Sequence, residues 1–209
     1  MLIFAYDGTL NGDWVAHYAV RFALHDPDHC LRLVHVLETA TRDVVDERIA
    51  RLAEECRIVG VELEVERLPS EGKSVAERLL EVVPPGPGTM LVTGTRARPR
   101  NMAFLAGTVS ARLLAEAPFA IAALRVVQPG ILGQPGRVLL PLGGHPRGAR
   151  FAVPLLAHLG PELHQLHVLY VRELSRRRFR ALGVGAAEQL LVEGRRFVAA
   201  DRRLPRSER

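Results

Sequence analysis

The stretch Met90-Leu91-Val92-Thr93-Gly94-Thr95-Arg96-Ala97 begins as a short apolar run and ends in small and basic residues. Gly107-Thr108-Val109-Ser110 follows ten residues after Ala97 and opens a segment, 109–117, whose apolar positions have helical spacing. A buried strand, a loop of small residues and a helix N-terminus together form an anion site, because free backbone N–H groups and the positive end of the helix dipole meet there. The pattern therefore predicts a phosphate site, most simply that of a nucleotide, with ordinary helix capping by Thr108 or Ser110 as the alternative.

Strands and helices alternate on both sides of this stretch. Strands are predicted at 2–6, 31–37, 61–66, 90–93 and 121–127, and helices at 14–24, 41–58, 74–83 and 109–117. Five strands alternating with four helices predict an α/β fold, a doubly wound five-stranded parallel sheet. Strict alternation over 61–66 places that strand near a sheet edge. Asp7, Val36 and Gly94 each lie at or near the end of a strand, so we expect them to meet in one crevice at the switch point of the sheet.

The pattern then repeats. Residues 128–136 are rich in proline and glycine, and after them five features recur at an offset of 134 to 136 residues, among them a strand at 138–142 and a helix at 151–159. The sequence given ends before any counterpart of the loop at 94–110. We therefore predict a complete nucleotide-binding domain at 1–127, a linker at 128–136 and a truncated, degenerate second copy without the phosphate loop at 137–209.

Composition narrows the functional classes. Apolar residues make up 48% of the 209 residues, and no run approaches the ~20 apolar residues of a membrane span. Residues 172–209 contain eleven arginines and five acidic residues. The net charge of +5 carried by the whole chain therefore comes from this stretch and not from the first domain. These features predict a cytoplasmic protein with no membrane partner and no specific nucleic-acid partner. Cys30 and Cys56 lack metal-ligand spacing and are expected to be packing residues.

Three motifs resemble the universal stress protein family. They are Ala5-Tyr6-Asp7-Gly8, Val34-His35-Val36, and Gly94-x2-Ala97-x9-Gly107-Thr108, which corresponds to the family pattern Gly-x2-Gly-x9-Gly-Ser/Thr. The resemblance covers residues 1 to about 127 in full and about 137 to 204 in part. It implies the adenine nucleotide α-hydrolase-like, Rossmann-like fold, here in tandem form, and a role in the stress response.

The resemblance also implies a ligand and its contacts. Asp7, the backbone around Val36, Thr93 and Gly94 would face adenine and ribose, and the phosphates would be surrounded by Thr95, Ala97, Gly107, Thr108, Val109 and Ser110. The Thr108 and Ser110 hydroxyls are expected to donate to phosphate. Arg96 and Arg98 have two interpretations: they contact the phosphates, or they are solvated loop residues. The cofactor would be ATP or a related adenine nucleotide, with Mg²⁺ or Mn²⁺ held mainly by phosphate and water.

Ala97 stands where the family pattern has its second glycine, and three functions stay open. The first is a regulatory module that binds adenine nucleotide, with at most slow ATP hydrolysis because no general base is evident near the loop. The second is a nucleotide-free, dimerising interaction protein of the same fold. The third is an α/β enzyme that uses nucleotide as its substrate. Neither the eight histidines nor Gly72-Lys73-Ser74 forms a catalytic, metal or Walker site at meaningful spacing. No catalytic residue and no metal-binding residue is predicted.

Assembly is predicted from the last strand. In the family this strand commonly pairs with its equivalent in a partner, and the second copy lacks a counterpart. The strand from Ile121 to Val127 would leave an open apolar edge, which natural proteins rarely tolerate. We expect a homodimer through this strand, or coverage of it by the second copy.

Overall fold

The computed structural model describes residues 1–37, 42–95, 108–142 and 148–170. The described residues within 1–134 and 154–161 form one compact unit, and those within 135–153 and 162–170 form a second. The boundary after Gln134 lies within the proline- and glycine-rich stretch 128–136. Residues 154–161 group with the first unit, although the predicted second copy included them.

The first unit alternates strands and helices. Its elements are β1 (Leu2–Ala5), α1 (Leu10–Leu24), β2 (Cys30–Leu37), α2 (Arg42–Val59), β3 (Glu62–Pro69), α3 (Val75–Val82), β4 (Gly86–Gly94), α4 (Val109–Glu116) and β5 (Phe119–Leu124). The five strands form one parallel sheet in the order β3-β2-β1-β4-β5. Helices α1 and α2 contact one another, as do α3 and α4. The predicted doubly wound α/β fold is confirmed, and so is the edge position of β3.

The core between the sheet and the pair α3–α4 shows how the helices are held. Ile3 and Leu91 project from neighbouring central strands into a buried cluster with Leu79 of α3 and Leu113 of α4. Each is at most 1% exposed. Burying a leucine or isoleucine side chain contributes about 1.5–3 kcal/mol, so this cluster ties both helices to the middle of the sheet.

On the other side of the sheet, α2 presents Val45, Ile49, Leu52 and Cys56 to the core. Val44 and Ala53 of the same helix are also apolar, but both are exposed. Because Val44 and Val45 are neighbouring valines, packing rather than a local pattern decides the helical phase, that is, which of the two faces the core. Cys56 is fully buried and free, and burial raises the pKa of its thiol to about 11. It packs as predicted.

The predicted strand from Ile121 to Val127 was wrong in its bounds. The last pair of the β4–β5 ladder joins Gly94 to Leu124, so β5 ends where its partner strand ends. Residues 125–127 have no strand beside them among the described residues. Within that same part of the chain β5 pairs with β4 alone, and it lies at the edge of the sheet.

The second unit contains β6 (Arg137–Leu142) and β7 (Gln165–Tyr170), which pair in parallel from Arg137–Gln165 to Leu142–Tyr170. Helix α5 (Gly148–Leu159) connects them and crosses the boundary between the units. This strand–helix–strand order is that of β1, α1 and β2.

Candidate functional site

The sheet reverses its direction of growth between β1 and β4. The chain passes from β1 outward to β2 and β3, then returns to β4 on the other side of β1. Ala5 pairs with Val34 on one side and with Thr93 on the other. Two residues beyond these paired positions, the three strands reach Asp7, Val36 and Thr95 respectively. This is the carboxyl edge of the sheet, where doubly wound sheets bind ligands. The structure thus brings together the three strand ends that the sequence predicted would meet.

Asp7 begins the turn between β1 and α1. Its Oδ1 accepts hydrogen bonds from the backbone N–H of Thr9 (3.0 Å) and from the Thr9 hydroxyl (2.7 Å). Thr9 in turn caps α1, since its Oγ1 accepts from the backbone N–H of Gly12 at 3.1 Å. A β-carbon on Gly12 would lie 2.6 Å from Asp7 Oδ1. The exposed Asp7 carboxylate is therefore packed against the first turn of α1.

The end of β4 is equally confined. Thr93 and Thr95 are buried, and the Thr95 backbone N–H donates to the Leu124 carbonyl at 2.7 Å. A β-carbon on Gly94 would lie 3.1 Å from Asn11 Nδ2, so α1 packs closely on the strand end. The Thr95 Oγ1 atom is buried and has no hydrogen-bond partner in the described part of the chain. Buried polar groups are nearly always paired, so this hydroxyl is notable.

Helix α4 begins beside this strand end. Thr108 is its N-cap, and the Thr108 Oγ1 accepts from the Ala111 backbone N–H at 3.1 Å. The buried Ser110 hydroxyl donates to the Gly94 carbonyl at 3.0 Å. The Ser110 proton is thus used to hold α4 against β4, whereas the sequence had assigned it to a phosphate. Val109 lies between them and is exposed.

The four helices of the sheet differ in the charge of their first turns. Asp13, Asp43 and Glu77 lie in the first turns of α1, α2 and α3, whereas the first turn of α4 has no acidic residue. A carboxylate neutralises the positive end of a helix dipole and competes with any anionic ligand. Helix α4 is the one of these four whose N-terminus has no acidic residue of its own beside it.

Four of the predicted site residues, Arg96, Ala97, Arg98 and Gly107, lie outside the described residues. Their assignments stay predictions. The described set comprises Asp7, Val36, Thr93, Gly94, Thr95, Thr108, Val109 and Ser110. Each of these lies at the carboxyl edge of β1, β2 or β4, or in the first turn of α4.

Sequence reasoning missed a polar cluster next to Asp7. The Tyr6 hydroxyl donates to Asp13 Oδ1 (2.5 Å), and the Arg48 guanidinium pairs with Asp13 Oδ2. Burial first, and then the bond to Asp13, raises the pKa of Tyr6. His35 is buried beneath this cluster, with Nδ1 2.8 Å from the Tyr6 carbonyl. Asp13 was the residue that could have revealed this cluster in the sequence. A carboxylate in the first turn of a helix commonly forms a hydrogen bond or an ion pair with a neighbouring side chain.

The loop Gly72-Lys73-Ser74 leads into helix α3 and takes part in its cap. Ser74 and Glu77 form a reciprocal capping box at the start of α3, and Lys73 pairs with Glu81. The bonds from the Ser74 N–H and hydroxyl, and then from Arg112, lower the pKa of Glu77 to about 2. Across the described ranges, no cluster of three histidine, cysteine or acidic residues could hold a metal ion. No helix in those ranges is long and apolar enough to cross a membrane.

A scan of the sequence against models of known protein families returns no match, and a search of curated proteins finds no relative.

Proposed function

We propose that the first unit binds ATP or a related adenine nucleotide and acts as a regulatory module of the universal stress protein type, with little or no catalysis. The observation that supports this most is the meeting of Asp7, the Val36 backbone and Thr95 at the switch point, directly beside the acid-free N-terminus of α4. An anionic group is favoured at α4, and a polyhydroxy group is favoured at the Asp7 carboxylate. A nucleotide carries both groups.

The two helix N-termini beside the switch point support one orientation of the proposed ligand. Helix α1 has Asp7 packed against its first turn and Asp13 within it. A phosphate placed there would meet two carboxylates. At α4 the Thr108 hydroxyl accepts the capping bond and the first turn has no acidic residue, and the first backbone N–H groups of a helix lack acceptors within the helix. We therefore place the phosphates at α4 and the nucleoside at β1 and β2.

Thr95 supports the same arrangement. Its buried hydroxyl lacks a partner among the described residues, and it lies two residues past the β4 position that pairs with Ala5 of β1. A ligand oxygen at this edge would satisfy it. Cysteine or histidine chemistry has no comparable support here, because Cys56 is buried with a raised thiol pKa and His35 is hydrogen-bonded to a carbonyl.

Replacing Thr108 tests the phosphate end. Aspartate and asparagine are both good N-caps, so Thr108→Asp and Thr108→Asn should each preserve α4. Only the aspartate puts a negative charge where a phosphate would bind, so we expect ATP affinity to fall about tenfold or more for Thr108→Asp relative to Thr108→Asn. Titration calorimetry measures the affinity, and thermal unfolding checks that both variants are folded. Equal affinities for the two variants would exclude α4 as the phosphate site.

The other end is tested by Asp7→Ala, which should also weaken ATP binding. If the wild-type protein shows no bound nucleotide after gentle purification and no thermal shift with ATP, the proposed function is wrong.

The second candidate is a nucleotide-free, dimerising protein of the same fold, and the two edges of the sheet favour it. Edge strand β3 has the charged residues Glu62, Glu64 and Glu66, which discourage pairing with another chain. Edge strand β5 has the sequence Phe-Ala-Ile-Ala-Ala-Leu, without a charge. We propose a homodimer through β5, an assembly that either candidate function could use.

A proline in β5 tests the dimer. The Leu124 carbonyl accepts from Thr95 of the β4 side, and alternation along the strand then turns the N–H of Ala123 away from β4. Ala123→Pro removes an outward donor, a position at which edge strands tolerate proline. We expect sedimentation to show a dimer for the wild-type chain and a dissociation constant at least about tenfold higher for Ala123→Pro. A monomeric wild-type chain at high concentration would contradict the dimer.

A further inference from the structure

The Tyr6–Asp13–Arg48 brace is the hydrogen-bonded chain that links the residue before Asp7 to helices α1 and α2. Asp13 occupies its centre: Oδ1 accepts from the Tyr6 hydroxyl and Oδ2 from the Arg48 guanidinium. The Asp13 and Arg48 side chains are 29% and 22% exposed, so water screens the ion pair only in part. The brace therefore joins three elements through one carboxylate.

Tyr6 is held by its backbone as well as by its side chain. Its N–H donates to the Val34 carbonyl at 3.0 Å, and its carbonyl accepts from His35 Nδ1 at 2.8 Å. Because a carbonyl can only accept, His35 Nδ1 carries the hydrogen. Tyr6 is thus fixed to β2 through its backbone and to α1 and α2 through its phenol. Asp7 is the next residue and has little freedom of its own.

Close packing transmits this restraint to the Asp7 carboxylate. The same β-carbon built on Gly12 that would lie 2.6 Å from Asp7 Oδ1 would lie 2.9 Å from Tyr6 Cε2. The Asp7 carboxylate and the Tyr6 ring therefore both pack closely against Gly12, in the first turn of α1. Helix α2 contacts the turn independently, since a β-carbon on Gly8 would lie 2.6 Å from Val45 Cγ2. Val45 and Arg48 are three residues apart and lie on one side of α2.

We propose that the Tyr6–Asp13–Arg48 brace positions the Asp7 carboxylate to accept the paired hydroxyl groups of a ribose-type ligand, with Arg48 acting as a positioning residue from α2. This inference rests on the proposed nucleotide binding for its ligand. Its structural half, that Arg48 and the Tyr6 hydroxyl hold the Asp7 turn in place, does not depend on any ligand.

Three variants test the brace. Arg48→Met removes the charge and keeps the length of the side chain, and Arg48→Lys restores the charge. Tyr6→Phe removes only the hydroxyl and keeps the ring beside Phe4 and His35, whose ring centroids lie 5.6 and 6.2 Å away. The matched control is Arg67→Met, because Arg67 also pairs with an aspartate of α2, Asp46, but at an exposed position on β3. Its loss should leave the Asp7 turn unaffected.

The first measurement is amide hydrogen exchange at Thr9 and Gly12 in the full-length protein without ligand. These two amides donate to Asp7 Oδ1 and Thr9 Oγ1, so they report on the geometry of the turn. We expect exchange to be about fivefold faster or more in Arg48→Met and Tyr6→Phe, close to wild type in Arg48→Lys, and unchanged in Arg67→Met. Unchanged exchange in both Arg48→Met and Tyr6→Phe would overturn the proposal. If Arg48→Met does not fold, Tyr6→Phe alone decides this measurement.

The second measurement is ATP affinity by calorimetry. We expect about tenfold weaker binding for Arg48→Met, substantial recovery in Arg48→Lys and no change in Arg67→Met. If exchange changes as expected but the wild-type chain binds no ATP, the proposed function fails and the positioning of Asp7 stands. If the wild-type chain binds ATP and Arg48→Met binds it equally well, the positioning role is overturned and the proposed function stands.

Discussion

Leu113→Ala should lower the free energy of unfolding by about 2–5 kcal/mol. The Leu113 side chain is fully buried in the cluster with Ile3 and Leu91, on the helix whose N-terminus forms the candidate phosphate site. Alanine would leave a cavity between α4 and two central strands, which the well-paired sheet cannot fill by moving. Urea unfolding followed by circular dichroism measures the loss.

The neighbouring leucine is the control. Leu114 lies on the same helix and is 48% exposed, so Leu114→Ala changes the same residue type without opening a cavity in the core. We expect a change within about 0.5 kcal/mol for that variant. Equal losses at the two positions would mean that α4 does not present Leu113 to the sheet, and its N-terminus would then not lie where the proposed site needs it.

Gly8→Ala should destabilise the protein by about 3 kcal/mol, from two separate causes. Gly8 has φ +71°, where a β-carbon costs about 1–2 kcal/mol. That β-carbon would also lie 2.6 Å from Val45 Cγ2, and overpacking of this kind costs about 1–3 kcal/mol. Chemical unfolding of the purified variant measures the sum.

Two further variants separate the causes. Gly60 has φ +77° and nothing within 4 Å of its β-carbon position, so Gly60→Ala reports the backbone strain alone. Adding Val45→Ala to Gly8→Ala removes the clash, and the double variant should lose less than the sum of the two single losses. If Gly8→Ala costs no more than Gly60→Ala, Val45 does not pack against the Asp7 turn, and the contact between α2 and this turn that is independent of the brace is absent.

The elements of this fold were predictable because their signals are local. The capping box of Ser74 and Glu77 marks the start of α3, and the alternating glutamates of β3 mark an edge strand. The start of α1 was missed by four residues, at Trp14 where the helix begins at Leu10. Asn11, Gly12 and Asp13 are poor helix formers, but the Thr9 cap and the packing of Gly12 against Asp7 and Tyr6 offset that weakness.

The candidate site was predictable in part. Asp7, Val36 and Gly94 end their strands, and in a doubly wound sheet the ends of parallel strands meet at one edge, so their convergence follows from chain order. The hydrogen bond from the Ser110 hydroxyl to the Gly94 carbonyl does not follow from chain order, because sixteen residues separate the two groups along the chain. No periodicity or cap signal encodes that bond.

The amino-acid sequence by itself determined the order of strands and helices, the parallel sheet and the set of residues at its carboxyl edge. Each of these follows from interactions between residues a few positions apart and from the rules of strand connection. Tertiary structure alone decided the phase of α2, the end of β5 at the last pair with β4, and the joining of Tyr6, Asp13 and Arg48. All three features depend on contacts between residues that are far apart in the sequence. The free energy of such contacts is set by three-dimensional packing, so no local sequence pattern predicts them.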